Sequence, residues 1–201
     1  MSRAKGFTLV ELLVALAIFA LITGFAYRGL TAMLESRAAL ESESRKWRDV
    51  AIFVGRLDRD LSAALKRTAL GASGTPLPPL SSVTESSSSP DGLSLTRSGS
   101  PLQESALASP QRIAYRLRDG AIERLSWAGV DIAPRDEPAT VSVLKRVSAF
   151  SVRFLDPTGE WRPTWGLPLS GETNFPAAVE VTVQLASGEK IVRLVDMPRS
   201  Q

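Results

Sequence analysis

The chain begins with an apolar run from Phe7 to Tyr27 that contains one charged residue, Glu11. As a helix at about 1.5 Å per residue it would span roughly 32 Å, the thickness of a bilayer's hydrocarbon core. The run is longer than the apolar core of a secretory signal and lacks a clear small-residue exit. Arg3 and Lys5 precede it, which predicts a cytoplasmic N-terminus and a translocated remainder.

Helical periodicity continues beyond the apolar run. No proline occurs before Pro76, so one helix is predicted from Phe7 to about Arg67, roughly 90 Å long. Its first half is predicted to lie in lipid, and its second half to pack an apolar stripe on a globular domain. The opposite face carries charged residues, among them Asp58 and Asp60, and is predicted to be solvated. The apolar stripe consists of Leu40, Trp47, Val50, Val54, Leu57, Leu61 and Leu65.

After Gly92 the apolar positions alternate with period two, which is typical of half-buried antiparallel strands. Asp119-Gly120 is predicted to turn a hairpin between strands at 113–117 and 122–127. Another strand is predicted around 150–154. A second hairpin joins 179–185 to 191–195 through Ser187-Gly188. Together these elements predict an α+β fold in which the helix packs on antiparallel sheet.

Two segments have the composition of loops. Gly71–Gly92 is rich in Gly, Pro and Ser and is predicted to be a loop, with its most mobile part at Ser86–Ser89. Asp156–Pro176 is about 20 residues long, and loops of that length commonly serve an interaction. Its tryptophans, Trp161 and Trp165, are predicted either to anchor a neighbouring protein or to fold back over the sheet edge.

Composition excludes several classes of chemistry. The chain has no cysteine and no histidine, which excludes thiol chemistry, a Ser-His-Asp triad and a His-ligated zinc site. The formal net charge of +3 is too small to indicate nucleic-acid binding. Two carboxylate pairs, Asp119 with Glu123 and Asp136 with Glu137, are interpreted as turn or surface residues. We therefore predict no catalytic residue, metal or cofactor, although a membrane-anchored periplasmic enzyme is the alternative.

Glu11 requires a separate explanation, because a charge within a membrane costs about 2.5–3.5 kcal/mol at the bilayer centre. Cleavage between Gly6 and Phe7 would create an α-amino group four residues before Glu11. That amine, on the same chain or on a neighbour, would supply a counter-charge, and pairing between chains would fix the stagger of adjacent helices. The alternative is a plain signal anchor.

The residues Lys5–Leu13, K-G-F-T-L-V-E-L-L, resemble the class III leader of type IV pilins and their relatives. The resemblance implies that a prepilin peptidase cleaves after Gly6 and that Phe7 becomes the N-methylated N-terminus. It also implies that Glu11 helps to recruit the subunit into a filament.

Most of the chain resembles the J-type minor pseudopilins of type II secretion. The resemblance implies a pilin-like fold with two sheets, no catalysis and no required metal or cofactor. It implies a role in a tip complex with I-type and K-type minor pseudopilins, which starts assembly of a periplasmic pseudopilus for export of folded proteins. The major pseudopilin and the inner-membrane assembly platform are further implied partners. The matching segments are AIFALITGFAYRGL, KW, LDRDL, IAYRLRDGAIERLSW, VSAFSVRFLDPTGEW and PAAVEVTVQLASGEKIVRLVDMP.

The resemblance and the patterns together predict four regions. Residues 1–6 are a cleaved leader, 7–29 span the inner membrane once, 30–70 form a periplasmic amphipathic helix, and 71–201 form a strand-rich periplasmic domain containing the loop 71–92. Trp47, Trp161 and Trp165 are the interface candidates. The alternative assignments are a minor type IV pilin or another minor pseudopilin of the I or H type.

Overall fold

A computed structural model describes Gly6 and residues 8–83, 92–99, 109–167 and 172–198. It contains one α-helix, α1, and eleven strands, and the chain divides into two compact units, residues 1–48 and 49–201. The elements are α1 Leu9–Ser62, β1 Ala69–Leu70, β2 Pro76–Leu77, β3 Leu80–Val83, β4 Gly92–Arg97, β5 Gln111–Arg118, β6 Ala121–Ser126, β7 Ala139–Lys145, β8 Val147–Leu155, β9 Trp161–Arg162, β10 Ala178–Leu185 and β11 Lys190–Asp196.

The predicted long helix is present, but it ends at Ser62, five residues before the predicted Arg67. Strand-like pairing takes over there, because the Leu65 amide donates to the Thr96 carbonyl and Ala64 forms a bridge with Arg97. The apolar stripe is buried from Val50 onward, whereas two of its earlier members, Leu40 and Trp47, are exposed. Phe53, which the predicted stripe omitted, is also buried.

The first sheet is a five-stranded antiparallel meander in the order β3-β4-β5-β6-β7. The predicted hairpin at Asp119-Gly120 is confirmed, with positive φ angles of 49° and 70° at the two turn residues. Two successive positive φ angles match the right-handed twist of the flanking strands, and Asp-Gly tolerates them at low cost. Gly92 begins β4 where the β5 backbone comes close, since a Cβ there would lie 2.3 Å from the Tyr115 carbonyl oxygen.

The second sheet has four antiparallel strands in the order β11-β10-β8-β9, and β1 with β2 forms a separate two-stranded ribbon. The predicted hairpin of β10 and β11 is confirmed. Val179, Val181, Val183 and Leu185 of β10 are all buried, as their alternation predicted. The turn includes Gly188 at φ 102°, a conformation that favours glycine.

The prediction of a continuous loop at Gly71–Gly92 is wrong, because β2 and β3 lie within it. Leu80 in β3 is fully buried, but the β3 sequence Leu-Ser-Ser-Val has no period-two apolar pattern. Strands β4 and β7 were also not predicted. The predicted mobile part, Ser86–Ser89, lies outside the described residues.

A single apolar core joins the C-terminal turns of α1 to both large sheets. Phe53 on the helix meets Tyr115 on β5 edge to face, with ring centroids 6.3 Å apart and an interplanar angle of 78°. Such pairs contribute about 0.5–1.5 kcal/mol beyond their burial. Phe154 on β8 and Val179 on β10 complete the same cluster from the second sheet. The α+β fold is therefore confirmed, with the helix as part of the core of the unit 49–201.

Candidate functional site

Glu11 and Thr8 form a reciprocal capping box at the start of α1. The Thr8 backbone amide and Thr8 Oγ1 each donate to Glu11 Oε2 at 3.0 Å, and the Glu11 amide donates to Thr8 Oγ1 at 3.3 Å. A Thr at the N-cap followed three residues later by Glu satisfies amides that the helix itself leaves unbonded. The negative charge also lies at the positive end of the helix dipole. Glu11 therefore has partners within its own first turn, which the search for a counter-charge did not consider.

The predicted cleavage position lies just before this cap. Gly6 is exposed, and a Cβ added to it would meet no described heavy atom within 4 Å. Phe7, the predicted new N-terminus, lies outside the described residues. Because α1 begins at Leu9 and Thr8 caps it, the Gly6–Phe7 peptide bond precedes the helix.

The first part of α1 presents apolar side chains all around its surface. Phe19 is 68% exposed and Phe25 is 70% exposed. An 18-residue window of α1 has a mean hydropathy of 2.5 and none of it is buried, so by length and composition α1 can cross a membrane. A helix that is apolar on every side requires an apolar surrounding.

The structure separates the three tryptophans proposed as interface residues. Trp47 on α1 is 46% exposed. Trp161 in β9 is 39% exposed and carries the Arg153 guanidinium 5.0 Å from its ring centroid. Trp165 is only 6% exposed, so its assignment as an interface residue is wrong.

Trp165 instead fastens the long loop to both sheets. Its indole Nε1 donates to the Asn174 carbonyl at 3.1 Å, and its ring centroid lies 6.5 Å from that of Phe154. Its carbonyl accepts from the Ser82 amide of β3 at 2.9 Å. The alternative interpretation, in which the loop folds back over the sheet edge, holds for this residue.

Asp156 closes the start of the same loop. Its Oδ1 accepts from Thr158 Oγ1 at 2.6 Å and from the Thr158 and Glu160 amides, while Oδ2 pairs with Arg162 at 2.6 Å. The Thr158 hydroxyl, with these amides, lowers the pKa of Asp156 to about 2. Because the folded-state pKa is depressed, the stabilisation is complete above the ordinary Asp pKa and is lost as pH falls through about 2.

The sequence-based search missed a buried polar cluster around Asp60. Asp60 is 2% exposed, although it was placed on the solvated face of the helix. Its Oδ1 accepts from Arg97 Nη1 at 2.5 Å, and its Oδ2 accepts from Tyr115 Oη and Arg124 Nε, each at 2.6 Å. Burial and the Asp60 charge raise the pKa of Tyr115. We name these four residues the Asp60 cluster. It joins α1 to β4, β5 and β6 through ion pairs that are shielded from water.

A second buried arginine was also missed. Arg112 on β5 is 1% exposed, and burial lowers its pKa to about 10. Its partners are neutral: Nε donates to Ser94 Oγ at 2.8 Å and Nη1 donates to the Pro78 carbonyl at 2.6 Å. Nη2 donates to Ser81 Oγ at 3.3 Å. Arg112 thereby ties β3 and the segment before it to β5 across β4.

The carboxylate pairs considered for an enzyme do not converge. Asp119 lies in the β5–β6 turn, and Glu123 Oε2 accepts from Arg116 Nε at 2.9 Å. Asp136 Oδ2 accepts from the Ala133 amide at 2.8 Å. Among the described residues, no group of three or more Asp or Glu side chains is placed to hold a metal ion.

Comparison with known proteins identifies the family. The family model "Type II secretion system (T2SS), protein J" matches residues 28–197, and the model "Prokaryotic N-terminal methylation motif" matches residues 1–27. Type II secretion system protein J of Escherichia coli is 28% identical over 96% of this chain and 96% of its own length. That of Klebsiella pneumoniae is 27% identical over 96% and 94%.

Among solved structures, the chain resembles a chain of the GspK-GspI-GspJ complex from the enterotoxigenic Escherichia coli type 2 secretion system. The TM-score is 0.64 at 25% sequence identity, and the match covers 78% of this chain and 99% of that one. The pilin-like fold expected from the sequence is therefore confirmed. Since the family model covers most of the residues, this chain belongs to the type II secretion system protein J family.

Proposed function

We propose that this chain is the J-type minor pseudopilin of a type II secretion system. In this role it joins I-type and K-type subunits in the tip complex that initiates a pseudopilus for export of folded proteins. The observation that carries the proposal is a J-family globular unit on the same chain as an exposed apolar helix headed by a methylation motif. The related Escherichia coli chain crystallised in a complex named for K, I and J subunits.

The role is structural, and we expect no catalysis and no cofactor. Catalysis by carboxylates would require two that converge on one site, and those of this chain are taken up by turns and ion pairs. The assignment as a type IV minor pilin or an I- or H-type subunit is disfavoured, because the matching family model is that of protein J.

We place the first part of α1, up to about residue 29, across the inner membrane. Its exposed apolar surface supports this topology, and the basic residues Arg3 and Lys5 favour a cytoplasmic N-terminus. The unit 49–201 then lies in the periplasm and enters the pseudopilus with the rest of the chain.

We assign cleavage and N-methylation to the Gly6–Phe7 position and assembly to Glu11. The nonhelical backbone before Thr8 supports cleavage there. Both Thr8 side-chain and amide bonds end on Oε2 of Glu11, and no described group bonds to Oε1. That oxygen is available for the α-amine of Phe7 on a neighbouring chain, and the major pseudopilin supplies such neighbours.

Processing gives the most direct test of the N-terminal assignment. The intact mass of the chain from cells with an active prepilin peptidase should correspond to residues 7–201 plus one methyl group. Cells that lack the peptidase provide the control and should yield the unprocessed mass. An unprocessed mass in both strains would overturn the cleavage assignment.

The partner assignment is tested by co-purification of the full chain, in detergent, with the I-type and K-type subunits of its own system. We expect the wild-type chain to recover both partners. Trp47→Ala and Trp161→Ala each remove an exposed aromatic, and loss of a Trp at an interface hot spot weakens binding by about 30-fold. Leu70→Ala is the control, because Leu70 is similarly exposed at 49% but lies on the β1–β2 ribbon. Full recovery with both tryptophan variants would refute their interface role.

A further inference from the structure

The C-terminal turns of α1 expose an apolar residue between two arginines. Ile52 is 55% exposed, Arg59 is exposed and Arg56 is half-buried. Arg56 and Arg59 follow Ile52 by four and seven residues, so the three side chains lie along one face of the helix. That face is opposite the buried residues Phe53 and Leu57. We name Ile52, Arg56 and Arg59 the Ile52 patch.

The fold removes the neighbouring acids from this face. In sequence the segment Arg56-Leu57-Asp58-Arg59-Asp60 has both signs of charge and appears nearly neutral. Asp58 accepts from Arg193 Nε at 2.9 Å and Nη2 at 2.6 Å on β11. Asp60 is buried in the Asp60 cluster. The cations that neutralise these acids come from the sheets, so the helix arginines stay without their sequence neighbours as partners.

Arg56 and Arg59 form no ion pair with any residue in the part of the chain that the structure describes. Gly55 leaves room for the Arg59 guanidinium to lie back along the helix, since its Nη1 is 3.5 Å from the position a Gly55 Cβ would occupy. This brings positive charge to the helix surface near Ile52. An occupant that covers Ile52 would therefore also desolvate these charges, which is unfavourable unless the occupant brings carboxylates.

We propose that the Ile52 patch binds an acidic amphipathic helix of a second pseudopilin subunit in the tip complex. That helix places an apolar side chain on Ile52 and Asp or Glu side chains next to Arg56 and Arg59. A helix is the fitting partner because the patch is itself a row of residues at spacings of three and four, the rows that pack between helices. The proposal rests on the proposed function and specifies the surface and charge of one contact.

The test uses the full chain co-expressed with its I-type and K-type subunits and purified in detergent. The variant Arg56→Glu/Arg59→Glu should reduce partner recovery by at least about 10-fold, because like charges then face each other. Arg56→Lys/Arg59→Lys keeps the charge and should retain most of the binding. Arg67→Glu/Arg135→Glu is the matched control, since it makes the same charge change at two exposed positions away from α1.

A second variant guards against loss of folding in the charge reversal. Ile52→Ser removes the apolar contact without changing the charge, and it should also reduce recovery while the thermal unfolding transition is retained. Raising salt from 0.05 to 0.5 M, values chosen on the order of a threefold change in screening length, should weaken the wild-type complex. The same salt increase should have a smaller effect on any complex that the Glu variant still forms.

The outcomes distinguish this inference from the proposed function. If the wild-type chain recovers neither partner, the proposed function fails. If it recovers both, and the Glu and Ser variants match the control, the Ile52 patch is not the contact. Equal losses for the patch and control double variants would show an effect of net charge alone and overturn the proposal. So would intact partner recovery combined with loss of sedimentation on phosphatidylglycerol vesicles but not on phosphatidylcholine vesicles, which would assign the patch to anionic lipid.

Discussion

Replacement of Asp60 by alanine is expected to lower the free energy of unfolding of the globular unit by about 3–5 kcal/mol. The carboxylate balances the buried guanidinium of Arg97, whose side chain is 7% exposed, and that of Arg124, whose side chain is 16% exposed. It also accepts from Tyr115 Oη at 2.6 Å. Alanine leaves two arginines and one hydroxyl without their acceptor in a region that water does not reach.

Asp58→Ala is the matched control for this change. Asp58 lies two residues earlier on α1 and also pairs with one arginine, Arg193, but both side chains are partly exposed, at 29% and 48%. A pair in contact with solvent contributes about 0–1 kcal/mol. Urea unfolding followed by circular dichroism should therefore separate the two variants clearly. A loss of less than about 1 kcal/mol for Asp60→Ala would contradict the structural importance given to the Asp60 cluster.

Replacement of Glu11 by glutamine is expected to prevent incorporation of the chain into the pseudopilus while cleavage and folding continue. Glutamine can replace glutamate in a capping box, so the hydrogen bonds with Thr8 can still form. What glutamine removes is the negative charge proposed to pair with the Phe7 amine of a neighbouring subunit. A buried partner charge left unpaired in lipid costs several kcal/mol, so incorporation should fall by at least about 10-fold.

Glu11→Val and Glu35→Gln complete the experiment. Valine removes both the charge and the capping acceptor, whereas Glu35 is an exposed acid further along α1 with no assigned role. Incorporation is measured as the fraction of the chain in sheared filaments, and secretion of an exported protein is followed in parallel. Normal incorporation of Glu11→Gln together with failure of Glu11→Val would assign the role of Glu11 to helix capping and contradict the counter-charge.

Local regularity made much of the fold accessible from the sequence. Uninterrupted helical periodicity predicted α1, and strict alternation in β5, β8 and β10 predicted the central strands of both sheets. Strands β3 and β7 escaped because their patterns are weak: β3 contains two adjacent serines, and the first four residues of β7 are exposed. Their assignment depends on the neighbouring strands that pair with them.

The sites divide in the same way. The nine-residue motif at Lys5–Leu13 locates Gly6, Phe7 and Glu11 from sequence alone, because cleavage, capping and counter-charge all act within one helical turn of each other. Trp161 and Trp165 could not be distinguished by sequence. One lies exposed under Arg153, and the other is buried only because β3 and the segment at Asn174 supply its hydrogen bonds.

By itself the sequence determined the membrane helix, the processing motif, the main strands and the family, since each is encoded by residues close together along the chain. Only the tertiary structure decided which charges are buried. Asp58, Arg59 and Asp60 look alike as three charged residues on a helix, yet one pairs at the surface, one stays exposed and one is buried. The physical reason is that the free energy of a charge depends on the partners and the water around it, and here those partners come from strands 35 or more residues away in sequence.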